Sequence, residues 1–342
     1  MNHSPSRQVR LAIIGAGGIS QAHATGILAH KDQIDCVALC DVSEANLKAR
    51  NEQLGGACRL FSNWGTMFSE FADQIDAVDI CLPHHLHGAA IMDAARAGKD
   101  ILCEKPLCTS LEEADEVVET VKKTGVLYQS AHNQLFMPCV REAKKRIEAG
   151  ELGEIRWLRS QDCFIPPRSV LEGQWRADRK RQGGGELIDT GYHPVYRLLH
   201  LAASEVTGVR ASMARFQQPI EGEDTASVQV RFASGALGEI LTSWAIRNPY
   251  GSHQIHVIGS NGELFGSGDT LWLLPNDASE PMKLEMDPVD TFAAQMADFA
   301  GRVVSRARPI HSVEEGRLVL DVITRATADA EGWQKFAKGA RA

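Results

Sequence analysis

Val9-Arg10-Leu11-Ala12-Ile13-Ile14-Gly15-Ala16-Gly17-Gly18-Ile19-Ser20 is the stretch that decides the fold. Val9 to Ile14 is a nearly continuous apolar run, the pattern of a parallel strand buried on both faces. It ends at Gly15, and a helical pattern continues from there to about His30. Strand, glycine turn and helix in direct succession predict the first βαβ crossover of a parallel sheet. The glycines add a chemical implication. Gly15 permits the tight turn and Gly17 lets backbone approach a pyrophosphate. The helix N-terminus at Gly18 and Ile19 offers free N–H groups and a favourable dipole. Ser20 occupies the third fingerprint position, where a small side chain still allows close helix packing.

The same rhythm continues outward. Ile34 to Cys40 reads as the second strand and ends at Asp41. A carboxylate there accepts hydrogen bonds from an adenosine ribose and repels a 2′-phosphate, so NAD is expected rather than NADP. Ser43 caps a helix to about Leu54. Ala77 to Leu82 is a strand, and His84 to Ala97 a helix closed by Gly98. Ile101 to Cys103 is a strand before Glu104, and Ser110-Leu111-Glu112-Glu113 is a capping box for a helix stopping at Gly125. Val126 to Ser130 is strand-like, and Pro138 opens a helix to Gly150. Repeated βα units predict a doubly wound parallel sheet.

Beyond Gly153 the pattern changes. Ile155–Phe164, Val206–Phe216, Ala226–Phe232, Ala236–Ala245, Gln254–Ile258 and Leu271–Leu274 read as strands, several joined by short turns such as Ser260-Asn261-Gly262. Helices are expected near Pro194–Ala202, Asp290–Ser305 and Val313–Gly332. The reading is an α/β Rossmann domain, residues 1–134, followed by an α+β domain with a large, mostly antiparallel open sheet, residues 135–342. One uncovered sheet face would expose a large apolar patch, so a homodimer or homotetramer through that sheet is expected.

The 342 residues are 44% hydrophobic and 23% charged, as in a globular protein long enough for two cores. A net charge of −8 argues against nucleic acid and anionic membrane surfaces as partners. The short polar N-terminus lacks the apolar core of a secretory signal and no run is long enough to cross a bilayer, so a cytoplasmic location is expected. The eight scattered cysteines contain no Cys-x-x-Cys pair and read as buried reduced thiols.

Three segments carry candidate chemistry. Gly184-Gly185-Glu186-Leu187-Ile188-Asp189-Thr190-Gly191-Tyr192-His193 places a carboxylate and an imidazole four positions apart, so one helical turn would set Asp189 beside His193. A carboxylate-oriented imidazole accepts protons near neutral pH. Pro194 restricts His193 toward extended angles or forces a bent helix start. Leu82-Pro83-His84-His85-Leu86-His87 and Glu104-Lys105-Pro106 lie at strand ends, where ligands of open α/β sheets collect. The histidine run has no carboxylate or thiolate at a ligand spacing, and no metal is expected. Trp175 and Arg176 precede the Asp189 segment, with Arg176 a candidate for a substrate carboxylate or a cofactor phosphate. Gln161 and Asp162 are candidates to reach the same pocket.

With these pieces placed, the chain resembles the Gfo/Idh/MocA family of oxidoreductases across roughly residues 8–333. The carrying residues are Gly15-Ala16-Gly17-Gly18-Ile19, Pro83 with His87, Ala97-Gly98-Lys99, Glu104-Lys105-Pro106, and Gly184-Gly185 with Asp189, Gly191 and His193. Glu223-Asp224 and Ile258 to Gly262 are further landmarks. The resemblance implies an NAD or NADP cofactor and hydride transfer between nicotinamide and a secondary alcohol or ketone of a sugar, sugar derivative or cyclitol. It puts Lys105 beside substrate and nicotinamide, makes His193 the acid/base group and Asp189 its neighbour, and implies a cis Lys105–Pro106 peptide. Gly15, Gly17, Gly18, Ile19, Asp41, Pro83, His84, His87, Glu104 and Lys105 are the expected cofactor residues. Lys105, Asp162, Trp175, Arg176, Asp189 and His193 are the expected substrate residues. His84 stands where asparagine is common, and Leu135 where many members carry arginine. The alternative is a redox-neutral glycosidase or lyase that oxidises a sugar transiently at the same site.

Overall fold

The computed structural model describes residues 8–339. They form two compact units: one runs through Asn133 and includes Asp290–Arg317, and the other comprises Gln134–Val289 and the chain from Leu318.

The first unit is built from β1 (Val9–Ile14), α1 (Ser20–Ala29), β2 (Ile34–Cys40), α2 (Glu44–Gln53), β3 (Arg59–Phe61), α3 (Trp64–Phe71), β4 (Ala77–Ile80), α4 (His87–Arg96), β5 (Asp100–Cys103), α5 (Leu111–Thr124) and β6 (Tyr128–Ser130). The strands form one sheet in the order β3-β2-β1-β4-β5-β6, and every pairing is parallel. The chain leaves β1 toward one edge and returns at β4 on its other side, so the strand order reverses at β1/β4. That is where such sheets open a crevice. The edge strand β3 had no clear sequence signal, because it is three residues long and two of them are exposed; helix α3, opened by an Asn63 cap, was not read.

The second unit contains α6 (Pro138–Glu148), β7 (Ile155–Cys163), α7 (Arg179–Gln182), α8 (Tyr192–Ala202), β8 (Val206–Ala214), β9 (Thr225–Phe232), β10 (Leu237–Ser243), β11 (Ile255–Gly259), β12 (Gly262–Ser267), β13 (Thr270–Pro275) and β14 (Met282–Leu284). They form an eight-stranded sheet ordered β14-β13-β12-β11-β7-β10-β9-β8. All its pairings are antiparallel except β7 with β10. The amphipathic helix α8 packs on β7 and β10. The opposite face presents half-buried Trp157, Arg159, Glu239, His256, Phe265 and Trp272. Glu239, Arg159, His256, Phe265 and Trp272 are register neighbours on adjacent strands, Trp157 lies edge-on to His256, and Phe265 stacks on Trp272 with centroids 5.9 Å apart.

Two long helices follow, α9 (Thr291–Ser305) and α10 (Val313–Gly339). A single cut near residue 134 fails to describe them. Asp290–Arg317 returns to the first unit, because Met296, Phe299 and Ala300 of α9 complete the apolar cluster of Val9, Leu11, Ile13 and Ile27. Among the described residues no helix is long and apolar enough to cross a membrane.

One turn of the second unit supports the segment around residue 189. The Asp224 carboxylate is fully buried and accepts N–H bonds from Phe216, Gln217 and Gln218 at 3.0, 2.8 and 3.0 Å. Next to it, the Glu223 carbonyl accepts from Glu186 N at 2.8 Å, and the Glu223 carboxylate from Leu187 N at 3.1 Å. Burial pushes the Asp224 carboxyl up, but these N–H donors outweigh it and hold the group below the ordinary aspartate range. A depressed folded-state pKa stabilises the fold above the unfolded value and ceases to do so as pH falls through the folded one. Asp224→Asn is therefore expected to lower unfolding free energy by about 2 kcal/mol at neutral pH. Urea titration of both proteins should show that gap shrinking below about pH 4; a constant gap would refute the ionic account.

Candidate active site

The phosphate loop is set by backbone geometry. Gly15 has φ +97°, and a Cβ there would lie 2.5 Å from the Cys81 carbonyl oxygen, so only glycine fits. At Gly17 and Gly18 a Cβ would meet nothing within 4 Å. The loop thus faces open space at the start of α1, which has no side-chain cap. Open room above glycine backbone at an uncapped helix N-terminus fits a pyrophosphate. Ser20 does more than permit packing. Its hydroxyl donates to Gly17 O at 2.7 Å and accepts from Arg50 Nε at 2.9 Å. The buried Arg50 on α2 also donates to Gly17 O at 3.3 Å; its helical setting gave no sequence signal for this. Asp41 is half-buried, accepting from Ala16 N at 2.7 Å and Ser43 N at 2.8 Å.

Lys105 follows β5 at the same carboxyl edge of the sheet and is half-buried, and the Lys105–Pro106 peptide is cis. Several residues expected to touch cofactor are buried in this structure. His87 is wholly buried, with Nδ1 2.6 Å from Pro106 O and Nε2 2.8 Å from Leu82 O. Its ring ties the loop after β4 to the loop after β5, and burial lowers its pKa. His84 is 2% exposed, whereas Pro83 is half-buried. Glu104 is 7% exposed. One carboxylate oxygen lies 3.0 Å from His23 Nε2, and the other accepts from Lys105 N at 3.2 Å. His23 Nδ1 lies 2.9 Å from the Asp79 carboxylate. Burial opposes charge on His23, but the Asp79 carboxylate prevails and holds the imidazole well above its ordinary pKa. His23, Asp79 and Cys81 bring potential ligand atoms within 4.8 Å of one another. With both His23 nitrogens facing carboxylates, the cluster reads as an ion pair.

The second unit supplies the other candidates. Helix α8 begins at Tyr192, so His193 is helical and Pro194 falls in the first turn, where its missing N–H is not required. Of the two outcomes expected of Pro194, an extended His193 and a bent helix start, the extended one is not taken. Asp189 sits in the preceding turns, whose N–H groups at Asp189 and Gly191 donate to Glu186 O at 3.1 and 3.0 Å. One helical turn therefore does not describe the Asp189–His193 relation. His193 Nδ1 lies 2.8 Å from the hydroxyl of Tyr196, one turn further along α8. The spacing His-x-x-Tyr was a readable signal that sequence reasoning missed. Asp189 is 2% exposed and accepts from Arg176 Nε at 2.9 Å and Gln182 Nε2 at 3.4 Å. Arg176 also lies 4.3 Å over the Trp175 ring. It is thus a partner of Asp189, not a lone guanidinium awaiting an anion.

Asp162 and Gln161 are both held by neighbours within this unit. Asp162 lies 3.0 Å from the wholly buried Arg197 and accepts from Gln254 Nε2 at 3.0 Å. Gln161 is fully buried and bonds the Ser252 hydroxyl. Burial raises the Glu186 carboxyl well above its ordinary pKa, with the hydroxyls of Thr190 and Thr242 donating to it at 2.6 and 2.5 Å.

These two sets of residues coincide with matches to known proteins. Residues 9–132 match the family model described as oxidoreductase family, NAD-binding Rossmann fold. Residues 140–265 match the GFO/IDH/MocA C-terminal domain. The scyllo-inositol 2-dehydrogenase (NAD(+)) of Bacillus subtilis is 33% identical over 268 residues, covering 75% of this chain and 73% of that protein. The myo-inositol 2-dehydrogenase of Thermotoga maritima is 29% identical over 326 residues, covering 91% and 93%. A solved structure of levoglucosan dehydrogenase in complex with NADH shares the fold, with a TM-score of 0.86 at 21% identity over 95% of this chain and 98% of that one. The chain belongs to the Gfo/Idh/MocA family of NAD-binding oxidoreductases.

Proposed function

We propose that the chain is an NAD-dependent dehydrogenase that oxidises a secondary alcohol of a sugar, sugar derivative or cyclitol. The observation that carries the reading is the placement of Lys105. It is a half-buried lysine at the carboxyl end of β5, on the sheet edge that bears the open glycine loop. When bound, the nicotinamide supplies the hydride acceptor. Gly17, Gly18 and the start of α1 would hold the pyrophosphate, and Asp41 the ribose. Asp41 stands at the end of β2 and already fastens the loop through Ala16 N; a carboxylate there would repel a 2′-phosphate. NAD is preferred over NADP on that ground.

The chain's own residues then divide the work on the alcohol. Lys105 places a compact positive charge against the carbinol oxygen as it gains negative charge. His193 accepts the hydroxyl proton at Nε2 while Tyr196 holds Nδ1 and fixes the ring plane. Asp189, steadied by Arg176, accepts a hydrogen bond from a neighbouring substrate hydroxyl. Sugars and cyclitols present such vicinal hydroxyls. The named inositol dehydrogenases among the relatives support this substrate class.

Turnover of scyllo-inositol, myo-inositol and a panel of aldoses with NAD should raise NADH absorbance in step with product. Product without absorbance would assign the redox-neutral route instead. Lys105→Met and His193→Ala are each expected to lower kcat by about a hundredfold or more, with NAD affinity nearly kept. Near-normal turnover in either variant removes that residue from the mechanism.

Gly17→Ala should leave the melting temperature unchanged, since its Cβ points into open space. It should weaken NAD binding about tenfold or more by filling the approach to the pyrophosphate. Asp41→Ser should narrow the preference for NAD over NADP. Fluorescence titration reads both, and unchanged affinities would displace the cofactor from this loop.

The half-buried aromatic face of the second unit's sheet supports a homo-oligomer formed by packing that face on another copy. Phe265→Asp should shift the mass measured by light scattering to that of one chain, 37.3 kDa. An already monomeric parent protein would refute this.

A further inference from the structure

We propose that His23 is a positioning residue for Lys105: its imidazolium clamps the Glu104 carboxylate and so couples the phosphate-loop helix to the lysine's backbone. The inference rests on the reading of Lys105 as the polarising group. His23 and Asp79 are fully buried, and Glu104 nearly so. The two ring nitrogens of His23 each lie within 3.0 Å of a carboxylate oxygen, Nδ1 on Asp79 and Nε2 on Glu104. Ionised carboxylates only accept hydrogen bonds, so both contacts are satisfied together only when both nitrogens carry protons. Two carboxylates and one imidazolium leave one negative charge, on the side where Lys105 follows Glu104 directly. The second Glu104 oxygen accepts from Lys105 N at 3.2 Å, and the lysine's charge in turn helps keep Glu104 ionised.

The connectivity matters more than the charge count. His23 stands on the first turn of α1, three residues beyond Ser20. Ser20 in turn bonds Gly17 O. A short series of contacts therefore runs from the glycine loop through α1, imidazole and carboxylate to the lysine backbone. Asp79 on β4 fixes the imidazole from the sheet side, and the Phe292 ring of α9 lies against it at 5.4 Å. None of these groups needs to touch an alcohol to matter. A reacting group misplaced by about 1 Å loses about a hundredfold in rate.

The test uses the full chain with His23→Gln, Glu104→Gln, the double variant and Lys105→Met. Glu104→Gln is nearly isosteric and carries the test should His23→Gln fail to fold. In the protein without cofactor, reductive methylation of Lys105, followed by mass spectrometry, should quicken severalfold in either single variant. Turnover with the best alcohol from the panel should fall by about 10- to 100-fold in kcat, with the NAD dissociation constant changed little. Because both residues act through one contact, the double variant should lose no more than the worse single one. Unchanged lysine reactivity and kcat, with Lys105→Met inactive, would overturn the positioning role alone. Additive losses in the double variant would also overturn it. Normal turnover by Lys105→Met would overturn the reading of Lys105 itself, and this inference with it.

Discussion

A charge in the middle of a parallel sheet has to be neutralised where it stands. Asp79 lies in β4, whose four residues are all buried. Leaving a carboxylate there unpaired costs several kcal/mol. The imidazolium of His23 meets that demand from α1, and Glu104 takes its other nitrogen. One buried charge thereby fixes the helix after the glycine loop against the strand end before Lys105. Buried ion networks are weak evidence of net stability, but they specify one arrangement among several. Here the arrangement specified is that of two loops on a single sheet edge.

The second unit uses the same device. Arg197 on α8 is wholly buried and is satisfied by Asp162, Ser160 Oγ, the Gln161 carbonyl and the Gln134 side chain. Its neighbour Tyr196 holds His193 on one side and accepts Gln134 N at 3.2 Å. The helix that presents the imidazole is pinned by a charge that never meets solvent. Leu135, where many members of the family carry arginine, is fully buried, so that position adds packing here and no charge to the substrate side.

Legibility in the sequence followed the strength of the local signal. The β1 run, the Gly15 turn, the Ser110 cap and the Gly125 stop each have a mechanism confined to a few residues, and each stands where expected, although Glu113 turns back to Thr109 N and not to Ser110 N. Strands β12 and β14 were not read. β12 carries two glycines among six residues, and β14 is three residues long. The return of α9 to the first unit depends on which core needs its apolar face, a fact no local pattern contains. Pro194 left two outcomes open, because its effect depends on its distance from the helix start. The resemblance carried Lys105, Asp189 and His193; the His193–Tyr196 spacing was there to be read, while the His23–Glu104 and Arg176–Asp189 contacts join positions whose pairing no local pattern contains.

Burial separates the two kinds of residue that a motif presents alike. Glu104 and Lys105 are adjacent, as are His84 and Pro83, yet one of each pair is sealed and the other half-buried. A sealed ionisable group has its hydrogen bonds arranged by protein, and altering it deforms whatever it holds. A partly open one retains a direction in which a ligand can approach. By that criterion Asp41, Lys105 and His193 retain a partly open side, whereas His23, Glu104, His87 and Arg197 are enclosed by protein. Asp189 lies between the classes: only 2% exposed, but held by an arginine that is itself 38% exposed. Its carboxylate is thus held by a group that itself reaches solvent. The direction of that carboxylate therefore depends on the Arg176 ion pair and on the Trp175 ring against the guanidinium.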